Sequence, residues 1–141
     1  MLICQISDLH IRREGSLAYG IVDTAVMLER CVRQILDLPQ RPAAVIATGD
    51  LVDFGRPEEY RRLRTLLEPL TMPVYLLPGN HDNRQELRRA FPGHHYLDQC
   101  ADHIQFVIDT LPVQIIALDT VVPGESGIML CRSGPLTLFG L

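Results

Sequence analysis

The chain has 141 residues, enough for one domain with a real core. Hydrophobic residues make up 47%, yet no apolar run approaches the roughly twenty residues of a membrane helix, so a spanning protein is not expected. The formal net charge is -4 and no basic stripe stands out, which argues against a general binder of nucleic-acid polymers. Cys4, Cys31, Cys100 and Cys131 are far apart and form no C-x-x-C pair. Structural disulfides are therefore not expected, and a reducing cytoplasm fits. The first residues enter an apolar strand pattern without a basic leader segment, so no secretory signal is expected.

In chain order, Leu2–Ile6 reads as a strand and residues 7–15 as a loop. From Gly20 onward Ile21, Ala25, Leu28, Val32 and Ile35 recur at spacings of 4, 3, 4 and 3, which is one face of a helix. Pro39 and Pro42 stop it, because a residue before proline is pushed out of helical geometry. Ala43–Ala47 is apolar nearly throughout, as a strand covered on both faces should be. Pro57 suits the first turn of a second helix. Tyr60, Leu63, Leu67 and Leu70 line one side of it, and Glu58 and Arg62 are spaced to pair on the other. Val74–Leu77 predicts a third strand and Asn83–Ala90 a short helix. Ile104–Ile108 and Gln114–Leu118 then read as a hairpin. The order is βαβαβα followed by ββ. From Pro123 the reading stops: Gly124, Gly127, Gly134, Pro135 and Gly140 interrupt the apolar stretches Ile128–Leu130 and Leu136–Phe139.

Three short motifs follow the three predicted strands: Asp8 and His10, then Gly49-Asp50, then Gly79-Asn80-His81-Asp82. Strand carboxyl ends are where open α/β sheets build their sites. In extended geometry residues i and i+2 point the same way, so Asp8 and His10 are expected to face one ion. Gly49 lets the backbone turn closely before Asp50. Asn80 offers a neutral carbonyl oxygen, which leaves His81 free for acid–base work. Carboxylate, amide and imidazole donors at one edge suit divalent Mn, Fe or Zn. Taken singly, Asp50 also reads as a turn or cap residue and His81 as a hydrogen-bonded loop histidine; the conjunction of motifs carries the site.

Residues 6–10, 48–53 and 77–82 resemble the first three sequence blocks of the calcineurin-like metallophosphoesterases. Within that superfamily the spacing is similar to the bacterial class III cyclic-nucleotide phosphodiesterases and the related glycerophosphodiesterases. The likeness covers residues 1–127, which it implies are the amino-terminal part of a four-layer α/β/β/α sandwich with an incomplete second sheet; residues 128–141 form an atypical tail. It implies two divalent metal ions, with Asp8 and His10 on the first, Asp50 bridging, and Asn80 on the second. His81 is then the catalytic histidine, and Asp53 and Asp82 support the ligand loops from behind. The implied reaction is hydrolysis of a small phosphodiester, 3′,5′-cyclic AMP or a glycerophosphodiester, by a metal-activated hydroxide.

The family pattern continues with a further metal histidine and a Gly-His-x-His block. No histidine follows Leu118 in this sequence. His94, His95 and His103 have no ligand spacing and read as loop or strand-flanking residues. Second-metal binding is accordingly expected to be weak, and the chain is expected to be a family member cut short. A rival reading is a non-catalytic chain that binds one metal at most, or pairs with a complete homologue or another copy through an uncovered sheet edge. A phosphomonoesterase or nuclease on the same site is a further alternative. Arg61, Arg62, Arg64, Arg88 and Arg89 read as solvated helix faces, Phe91 and Tyr96 as packing residues, and Asp119 as a strand end.

Overall fold

The computed structural model describes residues 1–122 of the chain. The expected tail over 128–141, with its apolar stretches, lies outside the described residues, as does the end of the domain expected at 127. The elements are β1 (Ile3–Ser7), α1 (Thr24–Leu36), β2 (Ala44–Thr48), α2 (Pro57–Leu67), β3 (Val74–Leu77), α3 (Arg84–Ala90), a 3-10 turn (His95–Asp98), β4 (Phe106–Ile108) and β5 (Ile115–Ala117).

β1, β2 and β3 form a parallel sheet in that order, with Ile3 opposite Ala44 and Val45 opposite Val74. β2 is central, and its Ala44, Val45 and Ala47 are fully buried, as its unbroken apolar sequence demands. Parallel neighbours need crossovers, and the helices supply them. α1 turns Ala25, Leu28, Val32 and Ile35 inward. α2 turns Tyr60, Leu63 and Leu67 inward and packs against both α1 and α3. β4 and β5 make a separate antiparallel pair. Its buried face carries Phe106, Ile108 and Ala117, and the alternate residues Val107 and Ile116 are exposed. Phe106 joins the pair to the main sheet, with its ring 4.4 Å from that of Tyr96 and 6.0 Å from that of Tyr75. The mixed α/β class expected from the element order is what the chain adopts.

Two local readings differ. The apolar periodicity predicts a helix starting near Ile21, yet α1 begins at Thr24 and Ile21 is 81% exposed. Tyr19 and Gly20 both have positive φ and close a tight turn sealed by an Ala18–Val22 bridge. Asp23 then caps the helix by accepting from Val26 N at 3.1 Å. Arg62, expected opposite Glu58, instead donates to the carbonyls of Arg12 and Arg13 at 3.1 and 2.9 Å. A charged donor satisfying two loop carbonyls outcompetes a solvent-exposed ion pair.

Candidate metal centre

All three motifs sit at the carboxyl edge of the parallel sheet. The backbone pairing runs on past the strand ends: Asp8 N donates to Gly49 O at 3.2 Å, His10 N to Asp50 O at 2.8 Å and Gly49 N to Leu77 O at 3.0 Å. The loops therefore stay in register and deliver their side chains together.

Delivery is not by extended geometry. Asp8, His10 and Asp50 have φ of 53°, 42° and 34°, in the left-handed region that few non-glycine residues occupy. Asp8 and His10 do lie side by side, but left-handed rather than extended backbone brings them there. Positive φ at three non-glycine residues of one site is the kind of local strain that a surrounding fold over-determines.

Ligand atoms of Asp8, His10 and Asp50 lie within 4.8 Å of one another. His10 Nε2 and Asp50 Oδ2 are 3.7 Å apart. Donors about 2.1 Å from a shared ion stand roughly 3 to 4.2 Å apart, so this pair fits one divalent cation. Imidazole and carboxylate donors match Mn, Fe or Zn. Asp50 Oδ1 accepts from His81 N at 3.1 Å, which fixes the carboxylate's rotation and turns Oδ2 to His10. Asn80 is exposed in the turn between Gly79 and His81. The approach of the last two motifs requires Gly79: a Cβ there would meet Asp50 N at 2.1 Å and Asp50 Oδ1 at 2.3 Å.

A second group, His10, Asp53 and His81, is equally close-set, but hydrogen bonds account for it. Asp53 Oδ1 faces His10 Nδ1 at 3.2 Å, and Oδ2 pairs with Arg12, whose guanidinium lies 4.3 Å above the Phe54 ring. His10 thus carries a proton on Nδ1 and presents Nε2 to the centre, the usual arrangement behind a metal-facing imidazole. His81 Nδ1 lies 2.7 Å from the backbone carbonyl of Asp53, which can only accept. Its Nε2 is therefore the nitrogen left for chemistry, and its ring meets that of His10 edge-on at 4.9 Å. The exposed ring of Tyr19 stands 6.2 Å from His10.

Asp82 supports the loops from below. Its carboxylate accepts from Gly79 N at 2.8 Å, Leu51 N at 2.9 Å, Val52 N at 3.3 Å and the Tyr60 hydroxyl at 2.8 Å. Desolvation pushes its pKa up to about 6 against the opposing pull of these donors. Burial raises the Tyr60 phenol well above its ordinary range, so it remains a neutral hydroxyl.

His94, His95 and His103 are not drawn to the centre. His94 packs at the far edge of β3, where its Nδ1 lies 3.0 Å from the Tyr96 hydroxyl. That hydroxyl in turn accepts from Leu76 N at 2.8 Å. Phe91 is buried, as expected of a packing residue. Arg88 is no free helix-face cation, since it donates to the carbonyls of Leu97, Cys100 and His103. Asp119 does more than end a strand: Arg84 clamps its fully buried carboxylate at 2.6 and 2.8 Å. Sequence reasoning missed Arg12, Tyr60 and Arg84. Tyr60 shows in the pattern only as an apolar helix position, and neither Arg12 nor Arg84 belongs to a motif.

A parallel α/β sheet with carboxylate and imidazole donors at its carboxyl edge defines a class of metal-site α/β proteins. Residues 1–136 match the calcineurin-like phosphoesterase family, and the chain belongs to it. It is 39% identical over 126 residues to a probable glycerophosphodiester phosphodiesterase (GpdQ) of Arcobacter nitrofigilis, covering 89% of this chain and 46% of that one. It is 38% identical over 132 residues to a cAMP/cGMP dual specificity phosphodiesterase of Mycobacterium tuberculosis, covering 88% and 39%. Against the 3′,5′-cyclic AMP phosphodiesterase CpdA of Pseudomonas aeruginosa the identity is 32% over 124 residues, covering 88% and 43%. The chain spans less than half the length of these relatives. The family uses divalent metal ions, and the donor set above suits them. Among the described residues no helix is long and apolar enough to cross a membrane.

Proposed function

We propose that this chain provides the amino-terminal part of a phosphodiesterase active site that acts on a small phosphodiester of the glycerophosphodiester or 3′,5′-cyclic-nucleotide kind. We assign that part to residues 1–127. The observation that carries the reading is the convergence of Asp8, His10 and Asp50 within 4.8 Å at the sheet edge. In this proposal Asp8, His10 and Asp50 hold a first divalent ion, and Asp50 and Asn80 begin the site for a second, weaker one. A cation held there supplies charge neutralisation at the phosphate and lowers the pKa of water.

The chain's own residues then have separable tasks. Asp53 orients His10 through Nδ1, so that in the neutral ring Nε2 is the nitrogen offered to the ion. The Asp53 carbonyl holds the Nδ1 proton of His81, so Nε2 is the atom that would take up a proton from solvent and, from the imidazolium so formed, pass it to the departing alkoxide. Arg12 neutralises Asp53 and holds it in place. The free thiols Cys4, Cys31 and Cys100 suit a reducing compartment, and we place the protein in the cytoplasm on that ground.

Hydrolysis of bis(p-nitrophenyl) phosphate with added Mn²⁺ tests the reading. Turnover that Asp50→Asn and His81→Ala each abolish is the expected result. Folded chain that takes up Mn²⁺ and shows no turnover would leave the family membership intact and remove the claim that this chain is itself catalytic.

A further inference from the structure

Tyr60 lies in the first turns of α2, is wholly buried, and belongs to none of the sequence motifs. Its hydroxyl nevertheless touches both the third motif and the cap of the helix behind it. It donates to Asp82 Oδ1 at 2.8 Å and accepts from Asn83 N at 2.7 Å. Only a hydroxyl can do both at one atom. Asp82 is the hub between the second and third motifs through Leu51 N, Val52 N and Gly79 N. Asn83 in turn caps α3 by accepting from Gln85 N and Glu86 N. The turn carrying Asn80 and His81 is therefore pinned at Gly79 by Asp82, at Asp82 by Tyr60, and at Asn83 by Tyr60 again. Between these pins, His81 N reaches Asp50 Oδ1.

We propose that Tyr60 is a positioning residue for Asn80 and His81: its hydroxyl sets the place of that turn against the Asp50 loop before any ion binds. The relevance to chemistry rests on the metal-centre reading above, but the positioning itself does not. Removing the hydroxyl leaves Asp82 with one donor fewer and Asn83 N without this acceptor, so the turn gains a second resting place. The consequence falls on the groups between the pins. Asp8 and His10, held by β1 and by Asp53, keep theirs.

The test compares Tyr60→Phe with the unaltered chain by nuclear magnetic resonance. The readouts are the Asn80 side-chain amide and the His81 ring nitrogens in metal-free protein, followed by Mn²⁺ titration. Val32→Ala, a truncation on the buried face of α1, serves as the control for general loosening. The expected result is that the Asn80 and His81 resonances shift or split in Tyr60→Phe, stay in place in Val32→Ala, and leave His10 unmoved in both. Asn80 and His81 resonances unchanged in Tyr60→Phe, or displaced equally by Val32→Ala, overturn the proposal. If Tyr60→Phe does not fold, Asp82→Asn, which weakens the same hub from the other side, is read by the same criteria. Resonances that move in a chain that takes up no Mn²⁺ support the positioning role and remove the metal-centre reading instead. In the Mn²⁺ titration, Tyr60→Phe is expected to weaken uptake of the second ion, the one assigned to Asp50 and Asn80, about tenfold, and to leave the first unaffected.

Discussion

Gly79→Ala is the substitution with the sharpest consequence. A Cβ at this position would sit 2.1 Å from Asp50 N, 2.3 Å from Asp50 Oδ1 and 2.9 Å from Gly49 C. The nearest of these is backbone, so no side-chain rotation relieves the clash, and the two loops must part by about 1 Å or more to reach ordinary contact distance. Overpacking of this kind costs about 1–3 kcal/mol. Parting the loops also lengthens His81 N to Asp50 Oδ1 and Leu51 N to Asp82, both charge-assisted and each worth about 1.5–3 kcal/mol. A loss of about 3 kcal/mol or more is expected, together with weakened Mn²⁺ uptake. Urea unfolding followed by circular dichroism measures the first, and calorimetric titration the second. Gly93→Ala is the control: a Cβ there meets nothing within 4 Å, and a change within about 0.5 kcal/mol is expected. Equal stability and equal metal uptake for the two alanine variants would refute the close approach of the Asp50 and Asn80 loops.

Arg84→Met should destabilise the chain by about 3–5 kcal/mol in urea unfolding, because the fully buried Asp119 carboxylate loses its cation. A loss under about 1 kcal/mol would show that the clamp is dispensable. Asp53→Asn should lower Mn²⁺ affinity about 10- to 100-fold by releasing the His10 imidazole, measurable by calorimetric titration. Unchanged affinity would remove Asp53 from its orienting role. Burial lowers the His94 pKa from 6.5, so the fold favours the neutral ring. Its contribution to stability is complete above 6.5 and is lost as pH falls through the lower folded value. Unfolding free energies at about pH 7.5 and about pH 5 should therefore converge in His94→Asn relative to the unaltered chain.

The elements were legible where one physical demand dominated. β2 is apolar on both faces because it is the central strand of a covered parallel sheet, and its sequence shows that directly. The 3, 4 spacing of Ala25, Leu28, Val32 and Ile35 located the buried face of α1. It failed at Ile21, where a left-handed turn at Tyr19 and Gly20 intervenes and periodicity carries no turn information. The placement of Asp8, His10, Asp50, Asn80 and His81 at one sheet edge follows from strand ends and was readable. Their backbone was not, since positive φ at Asp8, His10 and Asp50 depends on contacts between loops about forty residues apart in sequence. Long-range polar partners were equally hidden. Arg84 with Asp119, and Tyr60 with Asp82, meet only after α2 packs on α3 and β5 closes the hairpin, and nothing local to either residue encodes the partner.

Mn²⁺ uptake by the metal-free chain, followed by electron paramagnetic resonance and compared with its Asp50→Asn variant, tests the centre most directly. The geometry of Asp8, His10 and Asp50 predicts saturable binding of at least one ion to the unaltered chain and its loss in the variant. Binding that Asp50→Asn leaves intact, or no binding by folded protein, would contradict the assignment of these residues as a metal centre.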